Sequence, residues 1–241
     1  AKNDRVYDFL LYFIVLLQIP TLVFFLIAMQ NTALSTADIV GRVLTMGLLC
    51  GTFGINVGHE LGHRKNKFEQ ALAKLALLTS LYMHFFVEHN KGHHKNVATH
   101  NDPSSARYNE ILYFFYFRTI VNSYRSAWHI ANEETAKRGK KKWSLDNEMV
   151  QIQLIQFGFT AVVLLIFGVT ITLYFLAAAF VGILLLETVN YIEHYGLQRK
   201  KLSSGNFERT LPQHSWNSDH VLGRMLLFEL SRHSDHHYMA S

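Results

Sequence analysis

Two stretches of the chain carry no charged side chain, residues 9–29 and 149–186. Membrane spans need about 20 apolar residues to cross ~30 Å of hydrocarbon, and both stretches meet that requirement. The first predicts a span over about 6–30, with Pro20 in its middle, where a membrane helix tolerates a kink. The second is long enough for two spans, about 149–167 and 172–190, separated by a minimal turn at Gly168. A further span over about 38–58 follows the uncharged polar turn 31–37. At its start Asp38 and Arg42 have i, i+4 spacing, which predicts a pair in which Arg42 reaches towards the interface.

The remaining apolar segments are not expected to cross. Residues 68–87 are long enough, but they join two histidine clusters that one crossing would put on opposite faces of the bilayer. They are read as a helix that stays near one face or dips in. Residues 108–130 hold Arg118 and Arg125 among aromatics, the pattern of an interfacial amphipathic helix. Residues 132–148 are read as a charged, solvated loop. The fold class is therefore all-α, a polytopic helix bundle with about four spans plus interfacial or cytoplasmic helices, in a single domain over 1–241. The apolar opening and the absence of an initiating Met lead us to expect further segments at both ends.

Nine of the fourteen histidines fall in four groups, each at the mouth of an apolar segment. His59 and His63 stand i, i+4. His89, His93 and His94 fill three of six positions, with His89 and His93 expected on one helix face and His94 beside them. His194 stands alone in Asn190–Gly196, and His233, His236 and His237 nearly repeat the second group. A lone histidine on an apolar helix is usually a hydrogen-bonded core residue, and His84, His100 and His129 are read that way. Imidazoles crowded together repel one another when protonated, so a bound cation is the natural compensation.

Charge distribution adds orientation. Of 23 basic residues, 14 lie in 59–147 and 6 in 193–241, while the turns expected on the other side have none. By the positive-inside rule every histidine group faces the cytoplasm. The run Arg138–Lys142 is then a membrane-flanking anchor, and no nucleic-acid partner is expected. Cys50 is the only cysteine and lies in an apolar run, which excludes a disulfide or an iron–sulfur site within the chain.

His59-Glu60-Leu61-Gly62-His63 also has the zincin form, in which a glutamate serves as base beside two zinc ligands. Catalytic zinc takes about three protein ligands, so nine histidines suit two ions with four or five nitrogens each, and an imidazole-rich, open-sided site suits iron and oxygen chemistry. Glu60, Glu88, Glu193 and Asp235 each adjoin a histidine and are candidates to accept its other ring N–H.

HELGHR (59–64), EHNKGHH (88–94), NYIEHYG (190–196) and LSRHSDHH (230–237) resemble the histidine motifs of the integral-membrane di-iron alkane 1-monooxygenases, within the superfamily of membrane desaturases and hydroxylases. DPSSAR (102–107) and HSWNSDH (214–220) extend the resemblance along essentially the whole chain. Departures are Ser231 where Gln is usual, Arg64 where Lys is common, and the ending Tyr238–Ser241. The resemblance implies that His59, His63, His89, His93, His94, His194, His233, His236 and His237 ligate two iron ions. His214 and His220 match a family segment but not its ligand positions.

It further implies terminal hydroxylation of medium-chain n-alkanes to primary alcohols with O₂, in a bacterial inner membrane with the site on the cytoplasmic side. Electrons would come from rubredoxin and its reductase. No dinucleotide-binding motif or cysteine pair is present, so no flavin, haem or nicotinamide is expected on this chain. The alternatives are an acyl desaturase or hydroxylase on the same scaffold, an intramembrane zinc protease, and a passive metal-binding or transport protein.

Overall fold

A computed structural model describes residues 5–228 and 230–240, with the side chains of residues 222, 225, 226, 235 and 238–240 outside the description. Asp235 and the ending Tyr238–Ser241 therefore fall outside the described side chains. In order, the helices are α1 (Arg5–Ala28), α2 (Thr36–Leu49), α3 (Asn56–Gly62), α4 (Lys67–Leu78), α5 (Phe85–Glu88), α6 (His94–Asn96), α7 (Leu112–Lys137), α8 (Glu148–His194), α9 (Val221–Leu226) and α10 (His233–Ala240). π-helical turns, Cys50–Ile55 and His89–His93, join α2 to α3 and α5 to α6. Among the described residues no strand forms beyond one isolated bridge between Lys201 and Phe207. Among the described residues three helical runs, Arg5–Ala28, Thr36–Gly62 and Glu148–His194, are long and apolar enough to cross a membrane.

The chain divides into two compact units, residues 1–86 with 143–185 and residues 87–142 with 186–241. In the first, α8 is a hairpin. Gly168 has φ 79° and ψ 175°, outside helical space, and the rings of Phe159 and Phe175 lie 5.8 Å apart. Sixteen residues of straight helix would separate them by about 24 Å at 1.5 Å per residue, so the chain reverses at Gly168 as its sequence predicts. The core against the hairpin includes Leu22, Phe25, Met46, Cys50, Val163 and Phe175.

Glycines govern how closely α2 and α3 approach their neighbours. A Cβ at Gly47 would fall 2.5 Å from Val181, and one at Gly182 2.9 Å from Cys50, so this crossing closes backbone to backbone. Gly54 and Gly58 instead face α4, at Thr79 and Leu77. Positions 47, 51, 54 and 58 would share one face of an unbroken α-helix. The extra residue of the Cys50–Ile55 π turn rotates the second pair onto a different partner.

Helix α4 has 12 residues, about 18 Å of helix against ~30 Å of hydrocarbon, so it cannot cross. It runs back along the second span, from Gly58 near Leu77 to Cys50, whose carbonyl accepts from Ser80 Oγ at 3.3 Å. The expectation is of a helix that stays near one face or dips in, and the segment forms a short helix antiparallel to the second span.

Two expectations are corrected. Asp38 does not pair with Arg42. It closes a capping box with Ser35, taking the Ser35 hydroxyl at 2.6 Å. Arg42 Nη1 donates to the Ala28 carbonyl at 2.9 Å, satisfying the open end of α1. Residues 132–137, read as loop, continue α7 to Lys137. His129, Glu133 and Lys137 follow one another at i+4 on its exposed side, and Ala131 and Thr135 continue its buried stripe.

In the second unit α7 buries Phe115, Thr119, Ser123, Ala127, Ala131 and Thr135 at strict i+4 intervals. This face meets the end of α8: Phe115 stacks edge-on at 5.3 Å against Tyr191, and Thr119 Oγ1 donates to Glu187 Oε2 at 3.0 Å. The opposite face of its first turns exposes Tyr113, Phe114 and Phe117. Arg118 points inward, donating to Glu110 at 2.6 Å and to the carbonyls of Pro103 and Ser105.

Candidate metal centre

Seven of the nine predicted histidines lie in the second unit. His93, His194, His233 and His237 form one group, all buried, whose ligand atoms lie within 4.8 Å of one another. Their Nε2 atoms form a chain of close approaches: His93 to His237 3.1 Å, His237 to His233 2.8 Å, and His233 to His194 3.1 Å. An imidazole Nε2 offers one in-plane direction, as a donor or as a lone pair. His237 and His233 each face two neighbours, so pairwise hydrogen bonds do not account for the arrangement. Lone pairs aimed at a common point do. Nitrogens about 2.1 Å from one ion and at right angles are about 3.0 Å apart, whereas tetrahedral ligands are about 3.4 Å apart. The observed spacings are of the size that imidazoles sharing one ion would have.

His89, His94 and His236 gather separately, with Nε2 of His94 at 3.0 Å from His89 and 3.1 Å from His236. The cause lies in the backbone. Residues His89–His93 form a π turn, in which the His94 N–H bonds the His89 carbonyl. Residues five apart are then brought together, so His89 Nε2 meets His94 Nε2 while His93 Nε2 meets that of His237. The rings of His89 and His93 stack at 5.0 Å with His94 beside them, as expected of residues that share a face. Gly92 leaves room for Glu88: a Cβ there would lie 2.5 Å from Glu88 Oε1, so the carboxyl would have to shift.

In the first unit His59 and His63 approach at 3.2 Å between Nε2 atoms, from the last turn of α3. Glu60 accepts from Arg64 at 3.2 Å, while Arg64 also meets Asp8 of α1 at 3.1 Å.

Asp102 is the supporting residue that adjacency in sequence does not reveal. It is buried and accepts from His93 Nδ1 at 2.9 Å, from Ser105 Oγ, and from the Ser104 N–H at 3.0 Å. An acceptor at Nδ1 fixes the proton there and leaves the His93 Nε2 lone pair for a metal. Burial opposes charge on both partners, but the facing His93 holds the Asp102 carboxyl below the usual range. For His93, the Asp102 carboxylate outweighs burial and keeps the imidazole above its ordinary value. Burial, reinforced by the neighbouring imidazoles, holds His237 well below it, so this ring is neutral and ready to bind. The signal for Asp102 is the segment Asp102-Pro103-Ser104-Ser105, an acid followed by turn residues eight positions after His94.

The other candidates find different partners. Glu193 lies beside His194 in sequence, yet its Oε2 stands 3.3 Å from His233 Nδ1, since successive helix positions point about 100° apart. Glu88 accepts from Ser126 Oγ at 3.3 Å, and burial pushes its carboxyl up to about 8. His214 is buried, accepts from the Leu211 N–H at 3.0 Å and faces Glu208 at 3.3 Å, a structural role that ties the loop before α9. His84 is buried as expected, whereas His100 and His129 are exposed, and His129 faces Glu133 at 3.0 Å. His220 is also exposed.

Apolar helices of spanning length together with a buried group of imidazoles describe a membrane protein with side chains that could hold metal. Comparison with known proteins agrees: the fatty acid desaturase family model matches residues 37–241, and the chain belongs to that family. Alkane 1-monooxygenase 1 of Alcanivorax borkumensis is 39% identical over 236 residues, 98% of this chain and 58% of that protein. The alkane 1-monooxygenase of Acinetobacter baylyi is 40% identical over 213 residues, 88% of this chain and 52% of that protein. A xylene/toluene monooxygenase hydroxylase component of Pseudomonas putida is 26% identical over 200 residues, 83% of this chain and 53% of that protein. The chain thus spans a little over half the length of these relatives.

Proposed function

We propose that this chain carries the metal centre of an alkane 1-monooxygenase, which converts medium-chain n-alkanes to primary alcohols with O₂. The observation that carries the reading is the buried group of His93, His194, His233 and His237, with Asp102 fixing the tautomer of His93. The nine histidines would hold two iron ions, one of them on this group. Bound iron supplies the activation of O₂ needed to break a strong primary C–H bond. The protein's own part is to present neutral Nε2 lone pairs and to keep the centre out of bulk water. An alkane has no polar handle, so its selection rests on apolar burial, about 0.8 kcal/mol per CH₂.

Electrons must come from outside the chain, and rubredoxin with its reductase is the donor that the alkane 1-monooxygenase reading brings with it. The concentration of basic residues in 59–147 and 193–241 supports a cytoplasmic centre in a bacterial inner membrane. The test is reconstitution of the full-length protein with iron and a rubredoxin system under ¹⁸O₂, with a medium-chain alkane. Labelled primary alcohol supports the assignment, and its absence from an iron-loaded, reducible protein refutes it.

The family itself favours one second reading, desaturation or hydroxylation of an acyl chain, which the same assay decides when an acyl substrate replaces the alkane. Zinc proteolysis is disfavoured by the engagement of Glu60 with Arg64, and one zinc with no iron per chain in metal analysis would revive it.

A further inference from the structure

Reduction of O₂ to two molecules of water takes four electrons. In hydroxylation, R–H + O₂ + 2 e⁻ + 2 H⁺ gives R–OH + H₂O, so a one-electron carrier protein supplies two of the four and the C–H bond the other two. When no alkane is bound the balance becomes O₂ + 4 e⁻ + 4 H⁺ giving 2 H₂O, and an oxidant strong enough to attack a primary C–H bond draws the second pair of electrons from the protein. The imidazoles of His93, His194, His233 and His237, at 0–2% exposure, stand closest to it. They are spared only where a side chain that is oxidised more easily, such as a phenol, offers its electrons first.

Such side chains are present in the second unit. His194 is followed directly by Tyr195, whose Cα is about 3.8 Å away across one peptide link. The Tyr195 ring lies 5.2 Å from that of Tyr191 and 6.2 Å from that of Tyr108, separations at which aromatic rings interact directly. Hydrogen bonds hold the rings in place. Tyr191 Oη donates to the Glu110 carbonyl at 2.6 Å, Tyr195 Oη accepts from the Asn109 N–H at 3.1 Å, and the Gly196 N–H donates to the Ala106 carbonyl at 3.0 Å. Tyr108 is 74% exposed, between the exposed Arg107 and Asn109, so its ring gains little from packing. The phenols therefore run from the residue after a fully buried histidine to the surface.

We propose that Tyr195, with Tyr191 stacked beside it, and Tyr108 form a one-electron path that carries oxidising equivalents from the imidazole cage to the surface when O₂ is reduced without substrate. The path rests on the monooxygenase reading for its purpose. Its step is Tyr–OH → Tyr–O• + e⁻ + H⁺, the electron passing inward through Tyr195 and the proton going to water at Tyr108, and two such steps supply the missing pair. A soluble thiol restores the phenol at the exposed end, 2 Tyr–O• + 2 RSH giving 2 Tyr–OH + RSSR. Only a strong oxidant takes an electron from a phenol, so the path is silent at the resting centre and does not compete with the carrier.

The experiment uses the full-length protein loaded with iron, reduced with dithionite and mixed with O₂ in the absence of alkane. A tyrosine radical is expected in freeze-quenched samples, recognised by electron paramagnetic resonance from the narrowing of its signal in protein made with ring-deuterated tyrosine, and glutathione is expected to shorten its life. Tyr195→Phe keeps the ring and removes the phenol beside His194, and Tyr108→Phe removes the one at the surface. In both, oxidised histidine in the peptides holding His194, His233 and His237, measured by mass spectrometry per O₂ consumed, is expected to rise several-fold at unchanged iron per chain. Absence of a tyrosine radical from a parent protein that consumes O₂, or equal histidine oxidation in parent and variants, overturns the path. If Tyr195→Phe takes up less iron, Tyr108→Phe on the exposed ring decides. A reduced, iron-loaded parent that consumes no O₂ with or without alkane would refute the monooxygenase reading itself and the path with it, an outcome distinct from O₂ uptake without a radical.

Discussion

Asp102 and His93 are the pair on which the cage turns, because the hydrogen bond at Nδ1 decides which nitrogen would face a bound metal. Asp102→Asn keeps the shape but lets the amide present an N–H to the ring. Iron affinity is expected to fall by about 10- to 100-fold, the usual effect of losing such a partner, read as iron per chain after dialysis against a graded chelator. The spacing drew attention to the histidines that the structure gathers, whereas the contact of Asp102 with His93 was not legible, since it lies nine positions away along the chain. A second residue gives a pH test. Burial holds His84 down at about 4 against an ordinary 6.5, and its ring packs 4.4 Å from that of Tyr82. The unfolded chain takes up that proton first, so stability is lost as pH falls from 6.5 towards 4 and is untouched above 6.5. The slope is at most about 1.4 kcal/mol per pH unit. His84→Gln should therefore lose less melting temperature than the parent between pH 6.5 and 4.5, and the same amount above pH 7.

Among the elements, α8 shows how much one residue decides. Gly168 has a conformation essentially reserved for glycine, and the space around its Cβ position is open, so the cost of substitution is backbone strain rather than a clash. Gly168→Ala is expected to destabilise the hairpin by about 1–3 kcal/mol, seen as a lower melting temperature in detergent. This turn was legible because a glycine interrupted an apolar run of twice the spanning length. The two π turns were not, because sequence periodicity assumes one helical pitch. At His89–His93 the rings of His89 and His93 still stack at 5.0 Å, but the five-residue turn sends their Nε2 atoms to different partners, His94 and His237. The end of α7 was missed for another reason: charges at i, i+4 on an exposed face look like a solvated loop until the small buried positions Ala131 and Thr135 are read with them.

For the molecule as a whole, the basic residues concentrated outside the spans define its electrostatics. If an acidic carrier delivers the electrons, turnover of the reconstituted enzyme should fall several-fold as salt is raised well past the level at which the Debye length is about 10 Å, while reduction by dithionite stays constant. Rates independent of ionic strength would remove electrostatic docking. The cage has one more implication at this scale. His194 and His233 are 39 positions apart, and His93 and His237 144 apart, yet each pair meets across about 3 Å. An ion held there ties distant parts of the chain into one knot and restrains the loops between them, as a cross-link does. Stripping the metal should then do more than silence chemistry. Trypsin is expected to cut after Lys200, Lys201 and Arg209 faster in chelator-treated protein than in the loaded form, so that a cell short of iron would be left with a chain marked for proteolysis.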